Sequence, residues 1–343
     1  MCKGGSFRSS PGFTNAPSRG YNINHQKLRF FDGLLKGAVF LLTNEQVNAL
    51  KGKGFLRNRG TDCFSGRMVA PGGVYSAADL AVISEIAEKC GSGKVVFTSR
   101  MCAEIVGIPY EKTEEAIAMA AEHGLVFGGT GTKIRPITSC KGTTCVYGNF
   151  DTQALAKKLH EQYYLGWHDV SLPHKIKIGI GGCPNSCNKP SLNDFGIEGH
   201  RIPDYDEKDC KSCKTCQVEA HCPSKAAHVV DGKMHIDENV CLKCGVCTDI
   251  CPFDAVKKHN HVVYKIFVGG TWGKNQRMGT PLSRMVEEDE VLPLLEKTIL
   301  WYKENAQPKE RLGKAIDRLG VETFEAAVWD DDLLRRKEEI LSR

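Results

Sequence analysis

Twelve of the sixteen cysteines in this chain of 343 residues fall into tight groups of fixed spacing, and nothing else constrains its fold as strongly. Eight of them lie between residues 201 and 260, in two similar halves. The first half reads Cys210-x2-Cys213-x2-Cys216-x5-Cys222-Pro223 and the second Cys241-x2-Cys244-x2-Cys247-x3-Cys251-Pro252. Two further pairs lie upstream, Cys140-x4-Cys145 and Cys183-x3-Cys187, while Cys2, Cys63, Cys90 and Cys102 stand alone. So long a chain does not read as a disulfide scaffold, and metal-bound thiolates in a reducing cytoplasm suit the pattern better.

The remaining composition excludes several classes. No apolar stretch follows the basic residues of the first segment, so no secretory signal is expected. The apolar run at Gly37–Leu42 is too short to cross a bilayer. A net charge of +5, spread along the chain, is no nucleic-acid footprint but is compatible with a pocket for an anion.

Residues 1–60, rich in Gly, Ser and Asn, read as an irregular arm. Ser76 with Asp79 predicts a capped helix that ends near Gly91, with Leu80, Ile83 and Ala87 on its apolar face. Strands are expected at 94–100, 175–180 and 262–270. Helices are expected at 113–123, 151–164, 287–304, 308–319 and 330–342.

The C-x2-C-x2-C-x3-C-P run is similar to that of bacterial two-cluster ferredoxins, in which three thiolates on one loop are completed by a fourth from the other half. By that pattern Cys210, Cys213, Cys216 and Cys251 hold one 4Fe-4S cluster, and Cys241, Cys244, Cys247 and Cys222 a second. Paired zinc sites also use four thiolates, but they favour two separated C-x2-C pairs. The upstream pairs suit either zinc or a third cluster.

In the strand expected at Lys175–Ile180, Lys175 and Lys177 share one face and Ile176, Ile178 and Ile180 the other. Two ammonium groups so placed either meet solvent or hold an anion between them.

Here the chain resembles the nitrite/sulfite reductase family, on Gly181-Gly-Cys-Pro-Asn-Ser-Cys187, on the Lys-x-Lys after Leu172-Pro173, on Arg67 before Pro71-Gly72-Gly73 and on Thr98-Ser99-Arg100. The resemblance implies that Cys140, Cys145, Cys183 and Cys187 hold a 4Fe-4S cluster, with Cys187 bridging to siroheme iron. It implies that Arg67, Arg100, Lys175 and Lys177 clamp the substrate anion. It adds Gly182, Asn185, Gly269, Gly270 and Arg277 as cofactor contacts. The family's first pair is usually separated by five residues, here by four.

The expected fold is α+β. A ferredoxin-like half domain of sulfite-reductase type spans 61–130, and a siroheme and 4Fe-4S domain spans 131–200 and 262–343. A two-cluster ferredoxin domain is inserted at 201–261. The implied activity is six-electron reduction of sulfite, or nitrite, with electrons from a ferredoxin or a reductase subunit. The rival of another class is an iron–sulfur carrier without siroheme. One set of motifs implies a second copy or a related subunit.

Overall fold

The computed structural model describes residues 42–258 and 261–343. Residues 1–41 of the expected arm, with most of the Gly37–Leu42 run, lie outside the described residues. The remainder of that arm is not irregular: α1 (Asn44–Gly52) and β1 (Phe55–Arg57) form there.

A βαββαβ unit follows: β2 (Cys63–Val69), α2 (Ala77–Cys90), β3 (Lys94–Phe97), β4 (Ala103–Pro109), α3 (Thr113–Glu122) and β5 (Val126–Phe127). Its antiparallel sheet runs β1-β2-β4-β3, with β5 also on β2, a ferredoxin-like order. Ser76 caps α2 as the sequence predicts, its side chain accepting from Asp79 N–H while Asp79 returns to Ser76 N–H. The buried stripe of α2 is Ile83, Ile86, Ala87 and Cys90, whereas Leu80, expected on it, stays 43% exposed. The strand predicted to reach Arg100 stops at Phe97, because the chain turns there and Met101 N–H donates to Thr98 O. Arg100 therefore sits in a turn.

The second sheet is mixed. β6 (Thr138–Ser139), β7 (Ile178–Gly181) and β8 (Phe195–Arg201) are parallel neighbours. Between β6 and β7 lies α4 (Thr152–Leu159), prolonged by a π-helical turn over His160–Leu165, so the predicted helix is present with a changed pitch. Lys175 and Lys177 precede β7 instead of lying within it, since Lys177 N–H donates to the Asp194 carboxylate and not to a strand. The alternation survives: Ile176, Ile178 and Ile180 are fully buried, and both lysines are half-buried on the other side.

Residues 202–258 leave at the end of β8 and carry α5 (Gln217–His221) and the hairpin of β9 (Ala227–Val230) and β10 (Lys233–Ile236). The chain re-enters as β11 (Val262–Val268), which pairs along the whole of β8, from Val262↔Arg201 to Val268↔Phe195. The cysteine-rich segment thus departs from and returns to two adjacent strands. β12 (Thr280–Pro281) completes the sheet.

The end of the chain is helical: α6 (Glu288–Asn305), α7 (Leu312–Leu319), α8 (Val321–Trp329), α9 (Asp332–Arg335) and α10 (Lys337–Ser342). The helix expected at 308–319 begins four residues later, after a turn with Lys309 at φ 68°. The helix expected at 330–342 is broken at Arg336, and α8 was not foreseen. One core joins α4, the mixed sheet and these helices, through Tyr163, Ile178, Ile197, Ile266, Leu295, Trp301 and Phe324. Among the described residues no helix is long and apolar enough to cross a membrane.

Candidate functional site

The upstream cysteines stand at the C-terminal ends of β6 and β7, where parallel strands commonly leave a crevice for ligands. Cys140 N–H donates to Ile180 O (3.0 Å), carrying the strand pairing one residue beyond β6. Thr152 Oγ1 donates to Cys140 O (2.7 Å), tying it to the start of α4. Cys183 opens a tight turn in which Ser186 (φ 53°) and Lys189 (φ 48°) are left-handed, a costly geometry for non-glycine residues and one concentrated at functional sites. Within that turn Cys187 is pushed out and exposed.

Cys140, Cys145, Cys183 and Cys187 line one cavity of about 390 Å³, together with Gly182 and Asn185. Gly182 N–H donates to Cys140 Sγ (3.1 Å). A Cβ on Gly182 would stand 3.1 Å from Gly142 Cα and 3.4 Å from Cys140 Sγ, so a side chain here would crowd the cradle.

A second cavity, about 360 Å³, is lined by Arg100, Lys177, Cys187, Lys189, Asn193 and Trp272 among others. Met101, Cys187 and Asn188 line both cavities. Cys187 therefore stands in the wall between a cage of thiols and a cationic chamber.

The cations are numerous and weakly compensated. Arg100 bonds only neutral oxygens, those of Pro136 (3.0 Å from Nε), Ile178 (2.8 Å) and Asn193 (2.9 Å). Burial lowers its guanidinium to about 10. Burial first, then Arg100 and Arg311, bring the Lys177 ammonium down to about 8. Lys175 is lowered by burial, Arg135 and Arg311. Arg100, Arg135, Lys175 and Lys177 are thus lowered in part by neighbouring cations, Arg67 and Arg311 among them. The carboxylates in contact with them are Glu104, on Arg67 (2.6 Å), and fully buried Asp194, gripped by Arg311 (2.6 and 2.8 Å). Arg135 Nε is buried without a partner among the described residues, so a hydrogen bond is left unmade on a cation.

Of the residues singled out in the sequence, Arg100, Lys177 and Cys187 share the second cavity. Arg67 and Lys175 belong to the same cation cluster but do not line that cavity. Arg67 is held instead by Glu104 and by Gly129 O (2.9 Å). Gly269, Gly270 and Arg277, expected as cofactor contacts, line neither cavity. They build a turn: Arg277 forks onto Asp317 (2.6 and 3.0 Å), and a Cβ on Gly269 would meet Gly313 Cα at 2.6 Å.

Sequence reasoning missed Arg135, Asp194, Arg311, Lys189 and Trp272. Lys189 had a local signal, two residues beyond Cys187. Asp194 and Arg311 had none, being 117 residues apart.

In the cysteine-rich segment Cys210, Cys213, Cys216 and Cys251 line one cavity. Cys222, Cys241, Cys244 and Cys247 line another, narrower one. Each triplet thus meets the Cys-Pro of the other half. Ala227 N–H donates to Cys222 Sγ and Lys243 N–H to Cys241 Sγ, each at 3.4 Å. Five of these thiols pack on a small core of Val218, Ala227, Met234 and Val256.

The likenesses agree with this geometry. Residues 130–337 match the nitrite and sulphite reductase 4Fe-4S domain. Residues 57–123 match the nitrite/sulfite reductase ferredoxin-like half domain. The chain is 31% identical over 259 residues to the coenzyme F420-dependent sulfite reductase of Methanocaldococcus jannaschii, covering 74% of this chain and 40% of that protein. It is 28% identical over 283 residues to a subunit of the anaerobic sulfite reductase of Salmonella typhimurium, covering 75% and 81%. The crystal structure of dissimilatory sulfite reductase I superposes with a TM-score of 0.64 at 24% identity, over 78% of this chain and 69% of that one, and so shares the fold. With a family domain matched over more than half of its length, the chain belongs to the nitrite and sulphite reductase family.

Proposed function

We propose that this chain reduces sulfite to sulfide by six electrons at a siroheme coupled to a 4Fe-4S cluster. The observation that carries the reading is the wall shared by the two cavities, in which Cys187 faces both the thiol cage and the cationic chamber. Four thiols without a carboxylate among them suit an iron–sulfur cluster. The unpartnered Arg135 Nε and the excess of cations over carboxylates suit a macrocycle edged with carboxylates and a dianionic substrate. Siroheme, when bound, would supply an iron for the sulfur to ligate and a conjugated ring through which electrons reach it.

The chain's own residues do the rest. Arg100, whose charge no carboxylate contacts, offers a fixed cation to substrate oxygens inside a low-dielectric chamber. Lys177, with its ammonium near 8, is matched to giving up a proton near neutral pH as oxygen leaves as water. Asp194 holds the Lys177 backbone and Arg311 together, fixing the ammonium's anchor point. Arg67 and Lys175 enlarge the positive field from the flank. Nitrite carries less negative charge than sulfite, so an uncompensated cation cluster favours sulfite.

The two cavities of the inserted segment suit two further 4Fe-4S clusters, on Cys210, Cys213, Cys216 and Cys251 and on Cys222, Cys241, Cys244 and Cys247. Bound there, they would supply one-electron storage between a soluble donor and the siroheme site. Such thiols call for a reducing, cytoplasmic setting. Since some relatives are named as subunits, a second copy or a related subunit completes the assembly.

The test is an anaerobic absorption spectrum with iron and acid-labile sulfide quantified, on protein made in a host that synthesises siroheme. Siroheme bands, about twelve cluster irons per chain and sulfite turnover faster than nitrite turnover are expected. Cluster iron without siroheme would overturn the proposal and leave an electron carrier.

A further inference from the structure

The two cavities of the inserted segment differ in the cations beside them, and only one is lined by an arginine. Arg201, the last residue of β8, is where the segment leaves the main sheet. Its backbone N–H donates to Lys243 O (2.8 Å), and it forms a parallel bridge with Cys244. Its side chain lies back over the Cys244–Cys247 loop. A Cβ on Gly245 would stand 3.2 Å from both Arg201 Cβ and Cδ. Nη1 donates to Thr248 Oγ1 (2.9 Å). Asp249 lies 3.6 Å away but is 73% exposed, so water screens most of its charge. The Arg201 side chain is only 12% exposed, and its Nε is buried with no partner among the described residues. Arg201 lines the cavity that holds Cys222, Cys241, Cys244 and Cys247. Among the described residues the other cavity is lined by no arginine: it has exposed Lys211 at its edge, and half-buried Lys233 donates to Cys210 O (2.8 Å) beside it.

A buried donor on a permanent cation, beside four thiols and without an acceptor, asks for an anion. Resting on the two-cluster reading above, we propose that Arg201 is a positioning residue that raises the reduction potential of the cluster on Cys222, Cys241, Cys244 and Cys247. A cluster held by four thiolates is an anion, and each electron it accepts adds negative charge. A guanidinium largely buried in the wall of that cavity stabilises the reduced form more than the oxidised one. The same loop also touches the siroheme side. A Cβ on Gly245 would meet Asn149 Oδ1 at 2.7 Å, and Asn149 N–H donates to Gly182 O in the four-thiol cage. Arg201 therefore raises the potential of the cluster nearer the reaction site, which favours inward transfer.

The experiment is an EPR-monitored redox titration of the intact protein, with iron counted in each sample. Arg201→Gln is expected to move one cluster signal to more negative potential and leave the others in place. Arg201→Lys keeps the charge without Nε and is expected to move the same signal less. An unmoved potential in every variant that keeps its full iron overturns the assignment while the cluster reading stands. Wild-type protein with no cluster iron in the inserted segment overturns both.

Discussion

The cysteine-rich segment and the cationic chamber gather their chemical groups by opposite means. In the segment each set of thiols comes from a window of about seven residues plus one Cys-Pro, and there is little else to hold it together. Its apolar core is four residues, with the cysteines themselves packed against it. Around the chamber the groups come from residue 67 to residue 311, and they are placed by two sheets and a core that runs through the terminal helices. The difference shows what each part depends on. On the proposed reading a segment with so small a core gains its order from bound clusters, while the chamber's cations are kept close against their own repulsion by the packing around them.

The comparison breaks first at the cysteines, where the largest effects are expected. Cys187→Ser removes the thiol in the wall between the two cavities. Sulfite reduction should fall below detection, even with a small-molecule reductant, while about eight cluster irons in the inserted segment remain. Cys213→Ser removes an exposed thiol of the outer set. It should abolish turnover with a protein donor and spare turnover with reduced methyl viologen. Iron content and the two assays side by side separate these outcomes. Equal losses with both reductants in both variants would show that the regions do not divide the labour as argued.

The chamber's electrostatics give the next largest effect. Lys177→Gln should cost about 10²-fold in kcat/KM, the usual scale for one preorganised electrostatic partner. The wild-type profile has a definite sign. Lys177 is lowered to about 8, so it is charged below that pH and loses its charge above it. Anions bound in the chamber can only raise this value. The kcat/KM for sulfite should therefore fall as pH rises beyond about 8, and Lys177→Arg should carry the plateau to higher pH. A profile unchanged by that substitution would remove Lys177 from the site.

These same residues mark how far the sequence could be read. Cysteine spacing is local, so both ferredoxin-type sets and the Cys183–Cys187 turn were legible as motifs. The ferredoxin-like half came from the family resemblance, while its capped helix was legible locally in Ser76 and Asp79. The Lys175/Lys177 alternation was read rightly as a two-faced segment, but the strand was placed too early, because a carboxylate 17 residues away takes the Lys177 N–H. Arg135, Asp194 and Arg311 carry no local signature. An ion pair across 117 residues is decided by tertiary packing alone. Arg277 and the Gly269-Gly270 turn form a recognisable motif, and its contacts seat α7 through Asp317 and Gly313.

The smallest effect concerns the chamber's rim, and it sharpens the comparison by asking whether all of its cations are fixed. Lys189 lies in the same cavity as Arg100 and Lys177, yet its ammonium rests 5.3 Å over the ring of Trp272, which is 56% exposed. A cation–π contact at an exposed site is worth about 0.5–1 kcal/mol, small enough for an arriving dianion to draw the ammonium away. Lys189→Gln should raise KM for sulfite about twofold to fivefold with kcat nearly unchanged, the scale of one exposed charge pair. Trp272→Ala, which frees the ammonium without removing it, should leave KM equal or lower. If Lys189→Gln lowers kcat as strongly as Lys177→Gln, then Lys189 acts at the reacting oxygens themselves, and the rim is part of the preformed chamber.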